Sequence, residues 1–464
     1  MNANAEQRID AGDASNQSAL EEFRKSVRGA VLTPESPDYD AVRTVWNAMI
    51  DRRPALILRC AGAADVVAAI KFGRNHSMLI SVRGGGHSAA GSCVCEGGLM
   101  IDLSPMRGIR VDPVSRTARA EPGVLWREFD HETLAFGLVT TGGTVSSTGI
   151  GGLTLGGGLG WQMSRLGLTC DNLLSVDIVT ADGTLITASQ AQHQDLFWAV
   201  RGGGGNFGIV VSFEYQLHPI SETILGGMIV YPMDQAREVL RFYRESCMSA
   251  CDNLAIAAGL LTLPDGVNVI ALIAAWLGAP DDGPERLAPL RAFGAPMVDL
   301  IAPVPYGQLQ QIFDAAVPTG MRRYWKSGYV ADLSNELIDE ILIHAAEKTS
   351  PYSTVLIFHL HGEATRVAAD ATAFGARTTQ WDFDIIPQWL DASEDATHLT
   401  WARTFWSAVE PYTNGVYVNH LGTDDGAPRV KAAFGQNFAR LVQIKGKYDP
   451  DNVFRMGNNI PVSE

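Results

Sequence analysis

Residues 83–88 read Arg83-Gly84-Gly85-Gly86-His87-Ser88, and this hexapeptide decides the fold. It follows the apolar run 79–82, which predicts a buried strand, so three glycines come where the backbone must leave a sheet. Glycine has no Cβ and adopts positive φ readily, so successive peptide N–H groups can surround an anion such as a phosphate. The hexapeptide alone leaves two interpretations open: an anion-binding loop with His87 at its edge, or a glycine turn followed by a surface histidine.

The segments before this loop predict a small βαβ unit. Apolar spacing indicates a helix over 40–49, a strand over 54–59 and a second helix over 65–72 with Asp65 as its N-cap. The strand over 79–82 then delivers the chain to the glycine loop. Since open α/β folds bind ligands at the carboxyl ends of their strands, we expect a ligand site at this loop.

A second glycine-rich stretch covers residues 141–160, of which nine of twenty are glycine. An average protein has about 7% glycine, so this stretch is neither an ordinary helix nor an ordinary strand. Flexible linkers favour serine and charged residues, whereas this stretch also contains Ile150, Leu153 and Leu155. We interpret it as a buried loop that contacts a cofactor, with a flexible linker as the alternative.

A third glycine cluster, Gly203-x-Gly205-x-x-Gly208, has the spacing of a dinucleotide-binding fingerprint. That fingerprint must follow a strand and open a helix. Here the cluster follows a predicted helix over 195–200 and opens a predicted strand over 209–215. The context therefore argues against a Rossmann-type site.

After Pro219 the pattern changes to long strands that alternate with amphipathic helices, of which 234–248 and 335–348 are the clearest. This alternation predicts an antiparallel sheet with helices on one face. A chain of 464 residues exceeds the usual size of one core. We expect a first domain over 1–217, a second over 218–417, and a return to the first over 418–464, with a helix at 429–447.

The balance of charges and cysteines excludes several classes of function. There are 36 basic and 51 acidic residues, a net charge of −15, and no basic run, so neither a nucleic acid nor a membrane surface is expected as a partner. The polar first 17 residues do not resemble a signal peptide, and no stretch is apolar enough to span a bilayer. Six scattered cysteines predict neither a disulfide framework nor a zinc site. We expect a soluble, cytoplasmic protein without a metal.

Taken together, the motifs resemble those of the flavin-linked oxidases with a vanillyl-alcohol-oxidase-type (PCMH-type) FAD-binding domain, in the berberine-bridge-enzyme-like branch. The chain is most similar to bacterial members of the 6-hydroxynicotine oxidase and favorskiase types. Each motif alone is weak, but seven of them follow the family's order over nearly the whole chain. They are 83–88, 149–158, 167–172, 195–202, 206–208, 417–419 and 448–452.

The resemblance implies an α+β fold, in which a two-lobed FAD-binding domain holds the cofactor against the antiparallel sheet of a substrate domain. The PCMH-type part corresponds to about 50–219, and the berberine-bridge-like segment to 418–464. The residues expected to contact FAD are Arg83, Gly84, Gly85, Gly86, His87, Ser88, Gly142, Gly143, Thr144, Val145, Ser146, Gly149, Gly152, Gly157, Ile209, Asn458 and Asn459.

The resemblance also implies a covalent bond between His87 and the 8α-methyl group of the flavin, with a noncovalent contact as the alternative. A neutral imidazole is a suitable nucleophile for that bond. Many relatives carry a second bond through a cysteine in a Gly-Thr-Cys segment, where this chain has Gly143-Thr144-Val145. We therefore predict FAD attached through His87 only, and not through the nearby Cys170.

The sequence offers several candidates for the catalytic base. Tyr417 and Asn419 match a motif that lies near the flavin in relatives, and Tyr417 either accepts a proton or only orients the substrate. A free phenol with a pKa of about 10 is a poor base at neutral pH. Where many relatives have a tyrosine, this chain has Trp381. Further candidates for the base are His361 and Glu363, and after them His359 and His420. Trp381, Phe383 and Trp389 are expected to form an aromatic wall for a flat substrate.

These features predict an FAD-dependent oxidase that takes a hydride from a hydrophobic or aromatic secondary metabolite and passes the electrons to O2. The expected partners are a small-molecule substrate and O2, and the chain is expected to be a monomer or homodimer. Two alternatives stay open: a favorskiase-type flavin monooxygenase, and a noncatalytic protein that binds flavin or another ligand.

Overall fold

The glycine loop leaves the end of a four-stranded sheet in the computed structural model, which describes residues 14–463. The strands of this sheet are Ala30–Leu32 (β1), Leu56–Arg59 (β2), Ile80–Arg83 (β3) and Leu99–Asp102 (β4). Their order is β1-β2-β4-β3, and both β2 and β3 run parallel to β4. The predicted βαβ unit is confirmed, with β4 inserted between its two strands.

Three helices accompany this sheet: Ala14–Ser26 (α1), Tyr39–Arg43 (α2) and Ala63–Asn75 (α3). The helix predicted over 40–49 is wrong beyond Arg43, because Trp46 and Ala48 donate their peptide N–H groups to the carbonyls of Gly86 and Met321 instead. The predicted N-cap is also wrong. Gly62 precedes α3, and the Asp65 carboxylate accepts peptide N–H groups of Arg28, Gly29 and Ala61.

The rest of the first domain is an antiparallel sheet of five strands with a small two-stranded sheet beside it. The strands are Ile109–Asp112 (β5), Thr117–Ala120 (β6), Leu138–Val139 (β7), Leu173–Val179 (β8), Leu185–Ser189 (β9), Ile209–Gln216 (β10) and His218–Pro219 (β11). The five-stranded order is β5-β6-β10-β8-β9, and β7 pairs with β11. The helices are Trp126–Leu134 (α4), Ile150–Leu155 (α5), Met163–Leu166 (α6) and Gln194–Ala199 (α7).

The glycine-rich stretch 141–160 is mostly loop, as predicted, but α5 forms within it. The start of α5 meets the first glycine loop at close range. A Cβ on Gly85 would lie 2.6 Å from the Cα of Gly149, and a Cβ on Gly149 would lie 2.5 Å from the N of Gly85. Real Cβ atoms do not come this close to backbone, so the two loops can touch only because both residues are glycine.

The second half of the chain forms the predicted antiparallel sheet. Its elements are Thr223–Pro232 (β12), Leu254–Thr262 (β13), Asn268–Trp276 (β14), Val298–Asp299 (β15), Ala302–Pro305 (β16), Arg322–Arg323 (β17), Lys326–Val330 (β18), Thr354–Leu360 (β19), Gln380–Ile386 (β20), Gln388–Trp389 (β21) and Thr413–Gly415 (β22). Nine strands pair in the order β15-β12-β14-β13-β19-β20-β18-β22, with β16 also on β12, while β17 and β21 pair separately.

Helices cover one face of this sheet, which we call the helix face. The helices of this half are Ala236–Met248 (α8), Gly283–Arg291 (α9), Tyr306–Leu309 (α10), Asn335–Ala346 (α11), Glu363–Arg366 (α12) and Asp395–Val409 (α13). Side chains of α8, α11 and α13 share a core with alternate residues of the strands. The opposite face, the cavity face, packs near β12–β14 against Val139 and Trp161 of the first domain.

Strand β20 illustrates the two faces, because side chains alternate along a strand. Trp381 and Phe383 belong to the core of the helix face, and so does Trp389. Asp382 and Asp384 point to the other side. The expected aromatic wall of Trp381, Phe383 and Trp389 is therefore wrong, since these rings pack against the helices and not in a ligand site.

The tail returns to the first domain after β22. The helix predicted over 429–447 is interrupted at Gly435, whose φ is +52°, and forms Ala427–Phe434 (α14) and Phe438–Tyr448 (α15). Lys445 of α15 is fully buried and donates to the carbonyls of Asn206 and Phe454, 2.9 and 2.8 Å away, and to Asp449. Among residues 14–463, no helix has both the length and the apolar character to cross a bilayer.

Gly85→Ala tests the contact between the glycine loops. Because the new Cβ would overlap the backbone of Gly149, we expect the loops to separate and the protein to lose about 1–3 kcal/mol of stability. Thermal unfolding monitored by circular dichroism measures this. Gly62→Ala is the matched control, since its φ of 172° suits any residue and nothing lies within 4 Å of its Cβ position. Equal unfolding temperatures for the two variants would contradict the close contact.

Candidate functional site

A cavity of ≈ 380 Å³ lies between the glycine loops and the cavity face of the sheet. Its volume is in the range of small-molecule and cofactor sites. Most of its walls come from five parts of the chain, which are the loop after β3, the stretch 143–163, the segment 203–213, the strands of the second sheet, and the tail at 417–421 and 454–458. Ile80, Val82, Leu103 and Pro122 complete them. Both domains therefore build one site.

The loop after β3 offers free peptide N–H groups to this cavity. Within the described residues, the N–H groups of Gly84, Gly85, Gly86 and His87 donate no hydrogen bond to another part of the chain. No lysine or arginine of the described chain lines the cavity. An anionic group such as a pyrophosphate would thus be held by backbone dipoles, which fits the nest predicted from the glycines.

Most of the predicted cofactor residues line the cavity, and five do not. Those that line it are Gly84, Gly85, Gly86, His87, Ser88, Gly143, Thr144, Val145, Gly149, Gly152, Ile209 and Asn458. Arg83, Gly142, Ser146, Gly157 and Asn459 lie outside the cavity wall.

The residues outside the wall instead make hydrogen bonds or close packing contacts with other parts of the protein. The Arg83 guanidinium donates to the carbonyl of Val42 and lies 4.0 Å from Asp102. Gly142 and Gly157 allow close packing, because a Cβ there would meet Trp126 or Phe374 at under 3 Å. Ser146 donates both its N–H and its hydroxyl to Asp314, and Asn459 turns its peptide N–H to Gly457.

His87 is held by a ring stack at the cavity wall. Its imidazole lies 4.0 Å from the Trp46 ring with an interplanar angle of 19°, and its Nε2 is 3.3 Å from Ser147 Oγ. Burial, helped by the positive charge of Arg323, lowers the pKa of His87 to about 3. The imidazole is therefore neutral at physiological pH and has a lone pair available for bond formation.

The second attachment point of many relatives has no nucleophile here. Val145 lines the cavity at the corresponding position. Cys170 does not line it, because its thiol is fully buried with Sγ 3.8 Å from Asp171 Oδ1. Burial raises the pKa of the Cys170 thiol, so the thiolate needed for nucleophilic attack is disfavoured.

Tyr417 and Asn419 both line the cavity and hydrogen-bond to each other. The Tyr417 oxygen accepts the N–H of Gly158 at 2.9 Å and the side-chain amide of Asn419 at 2.8 Å. Burial raises the pKa of the Tyr417 phenol despite these two donors. The phenol is thus a hydrogen-bond donor held in place, and its raised pKa favours the orienting role over that of a base.

His361 and Glu363 are not brought to the cavity. Glu363 is exposed and pairs at 2.6 Å with Arg366, which also binds Asp252. His361 is buried with its Nε2 3.4 Å from the carbonyl of Cys251, and its ring stacks on His359. The structure gives neither residue access to a bound ligand.

Three titratable side chains, those of Asp382, Asp384 and His420, lie together at the cavity. Asp382 and His420 line the cavity. His420 Nδ1 lies 2.9 Å from Asp384 Oδ1 and 3.3 Å from Asp382 Oδ2. The Trp325 indole donates to Asp384 Oδ1 at 2.8 Å and stacks on His420. Asp384 and His420 are thereby fixed, while Asp382 faces the cavity.

The charges in this cluster are set by the burial of two carboxylates beside one imidazole. Burial alone would lower the pKa of His420, but Asp384 and Asp382 raise it to about 10. Burial and the charge of Asp384 raise the pKa of Asp382 to about 6, against the opposing effect of His420. The three ligand atoms lie within 4.8 Å of one another, a spacing that can also hold a metal ion. The imidazolium, however, already balances one carboxylate.

His420 is among the candidates predicted from the sequence, whereas Asp382 is not. The available signal was the alternation Trp381-Asp382-Phe383-Asp384, which places two acidic residues on one face of a strand that is otherwise apolar. Two buried carboxylates on one strand face are rare unless they are paired.

The chain is similar in sequence and in structure to known FAD-linked proteins. Residues 54–189 match the family model of the FAD binding domain, and residues 416–461 match that named berberine and berberine like. An FAD-linked oxidoreductase of Dictyostelium discoideum is 32% identical, covering 95% of this chain and 96% of the relative. The (R)-6-hydroxynicotine oxidase of Paenarthrobacter nicotinovorans is 28% identical, covering 94% and 97%. The crystal structure of 6-hydroxy-D-nicotine oxidase from Arthrobacter nicotinovorans superposes with a TM-score of 0.86 at 27% identity, covering 94% and 99%.

Tyr417→Phe separates the orienting role from that of a base. Removing the oxygen leaves the Gly158 N–H and the Asn419 amide without their acceptor, so we expect a stability loss of about 1–3 kcal/mol. Anaerobic reduction of the flavin by a donor should slow by less than about tenfold, because a lost general base costs about 10²–10⁴-fold. Tyr215→Phe is the control, since its buried hydroxyl bonds Thr154 outside the cavity. A loss of reduction of 10²-fold or more in Tyr417→Phe alone would assign the base to Tyr417.

Proposed function

Since the chain belongs to the FAD-linked oxidoreductases of the berberine-bridge-enzyme-like family, we propose that it is an oxidase for a hydrophobic or aromatic secondary metabolite. The donor is an alcohol, an amine or a phenolic compound, and the electron acceptor is O2, which is released as H2O2. The observation that carries this proposal is the buried carboxylate of Asp382, which faces the cavity beside a fixed imidazolium.

The lining of the cavity fits FAD in its chemistry. Glycine-rich walls at both loops leave room for a ligand against the backbone, and the free N–H groups of residues 84–87 suit a pyrophosphate. His87 is the nucleophile that we propose for the covalent bond to FAD. Support comes from its neutral ring and from Val145, which offers no second point of attachment.

Bound FAD would supply the acceptor for a hydride and the site at which O2 is reduced. Residues of this chain would accept the proton that the donor loses. Asp382 would accept the proton of the donor O–H or N–H group, because it is the carboxylate that reaches the cavity. His420 and Asp384 would hold Asp382 in position, and Tyr417 would orient the donor through its O–H group.

The walls of the cavity support an uncharged or cationic donor with an apolar body. Trp325 and Phe358 contribute aromatic surface from β18 and β19 and their flanks, and Leu421 adds apolar surface from the tail. Carboxylated or phosphorylated donors would need a cationic partner, and no lysine or arginine of the described chain lines the cavity. The similarity to a 6-hydroxynicotine oxidase agrees with an aromatic donor.

A screen for H2O2 release in air tests the oxidase function over alcohols, amines and phenolic compounds, with anaerobic flavin bleaching as the second readout. We expect stoichiometric H2O2 from the donors that bleach the flavin. Incorporation of isotopic oxygen from ¹⁸O2 into the product would assign a monooxygenase instead. If no candidate bleaches the flavin, a noncatalytic role replaces the proposal.

Asp382→Asn tests the proposed base. Only the ionised carboxylate can accept a proton, so the reduction rate of the native protein should rise as pH increases through about 6 and then level off. The variant should reduce flavin about 10²–10⁴-fold more slowly and lose this pH dependence. Stopped-flow absorbance under anaerobic conditions measures both effects.

Asp252→Asn serves as the matched control for Asp382→Asn, because Asp252 is partly exposed and pairs with Arg366 away from the cavity. It should behave like the native protein. An Asp382→Asn variant with the native rate and pH profile would remove Asp382 from the mechanism.

A further inference from the structure

Arg323 is a buried cation without an anionic partner among residues 14–463. Its side chain is among the largest that are fully buried, with 1% of the residue exposed. It donates to the Gln388 amide oxygen at 2.8 Å and to the carbonyls of Trp46, Met321 and Pro318. In the described part of the chain, no aspartate or glutamate pairs with it. Burial lowers the pKa of Arg323 to about 9, so it is still cationic at neutral pH.

A buried charge satisfied only by neutral acceptors is costly, and proteins rarely keep one without a use for it. The hydrogen bonds of Arg323 orient the guanidinium and leave its charge uncompensated. That charge faces Trp46, whose ring centroid lies 3.8 Å from the guanidinium carbon. The same indole stacks on His87 at 4.0 Å. Arg323, Trp46 and His87 thus form one continuous stack, which we call the Arg–Trp–His stack.

Trp46 is fixed from both domains. Its peptide N–H donates to the carbonyl of Gly86 in the glycine loop, and its indole N–H donates to the carbonyl of Val317 at 3.1 Å. The neighbouring Asn47 amide reaches the carbonyls of Ala89 and Arg323, 2.8 and 2.9 Å away. The indole therefore has one orientation, and His87 can stack on it only when its ring lies nearly parallel.

We propose that Arg323 is a positioning residue for the attachment of FAD: through Trp46, it holds the His87 imidazole in the orientation that covalent bonding requires. The inference rests on the proposed function, in which His87 carries the flavin. Attachment replaces one C–H bond of the flavin 8α-methyl group and the N–H bond of the imidazole by a C–N bond. The two hydrogens and two electrons released pass to O2, which becomes H2O2.

Few other charges act on His87. Arg83 lies behind Gly86 with its guanidinium turned to Val42 and Asp102. The remaining titratable groups of the cavity wall are Cys93, Asp382, Tyr417 and His420. The Arg–Trp–His stack contains the cation whose field opposes protonation of His87. Without the stack, the ring would lose the contact that fixes its plane.

The experiment measures the covalent attachment of FAD to the protein over time. Full-length protein produced under riboflavin limitation is mixed with FAD between pH 5 and pH 8. Total bound flavin is measured first, and the flavin that stays on the protein after acid precipitation is then followed over time. The native protein should attach flavin at a rate that does not change over this range. Arg323→Gln should bind FAD but attach it about tenfold more slowly or worse, at every pH in this range, because burial still keeps His87 neutral.

Conservative variants distinguish positioning from folding. Arg323→Lys, which keeps the charge, and Trp46→Phe, which keeps an aromatic ring, should restore most of the native rate, whereas Trp46→Leu should not. Arg322→Gln is the matched control, because the neighbouring arginine pairs with Asp395 on α13 and should attach flavin like the native protein.

Two results would overturn the inference. One is native attachment at every pH in both Arg323→Gln and Trp46→Leu. The other is a parallel loss of total FAD binding and attachment in both, since a purely structural role would then suffice. A native protein with bound but wholly noncovalent FAD would instead refute the proposed attachment at His87.

Discussion

The contact between the backbones of Gly85 and Gly149 is the constraint on which the rest of the site depends. It lets the loop after β3 and the start of α5 meet with no side chain between them. Because the loops touch there, their free N–H groups and glycine surfaces face the same cavity. The loop then carries His87 to the cavity wall, where Trp46 and, behind it, Arg323 fix the imidazole. The proposed cofactor site and its proposed attachment point thus depend on how closely two stretches of backbone can approach.

The second domain completes the site through the two faces of one sheet. Along β20, Trp381 and Phe383 fill the core under the helices, while Asp382 and Asp384 lie on the opposite side. The apolar side stabilises the strand, and the polar side supplies a carboxylate at the cavity. His420 comes from the tail and lies within 3.3 Å of both carboxylates. The proposed proton acceptor is therefore held by three segments that are distant in sequence.

Local patterns explain why much of the fold could be predicted from the sequence. Glycines at 84–86 and 141–160 carry conformational requirements that few other residues can meet, and apolar periodicity marked the βαβ unit and the antiparallel sheet. Long-range contacts explain the failures. Trp46 leaves the predicted helix because its partners are Gly86 and Val317, which no local pattern reveals. Likewise, only the packing of β20 tells which of Trp381 and Asp382 faces the ligand, and only the ion pair with Arg366 takes Glu363 to the surface.

If FAD is held by a single covalent bond, at His87, peptide mass spectrometry of the holoprotein will find the flavin on one peptide. Cleavage after arginine gives residues 84–107 with His87, residues 128–165 with Val145, and residues 166–201 with Cys170. With attachment at His87 alone, we expect only the first peptide to gain the mass of FAD. Because that peptide also contains Cys93, which lines the cavity, fragmentation must then place the added mass on His87. Flavin on Cys93 or on either other peptide, or flavin released intact by denaturation, would contradict a single covalent bond at His87.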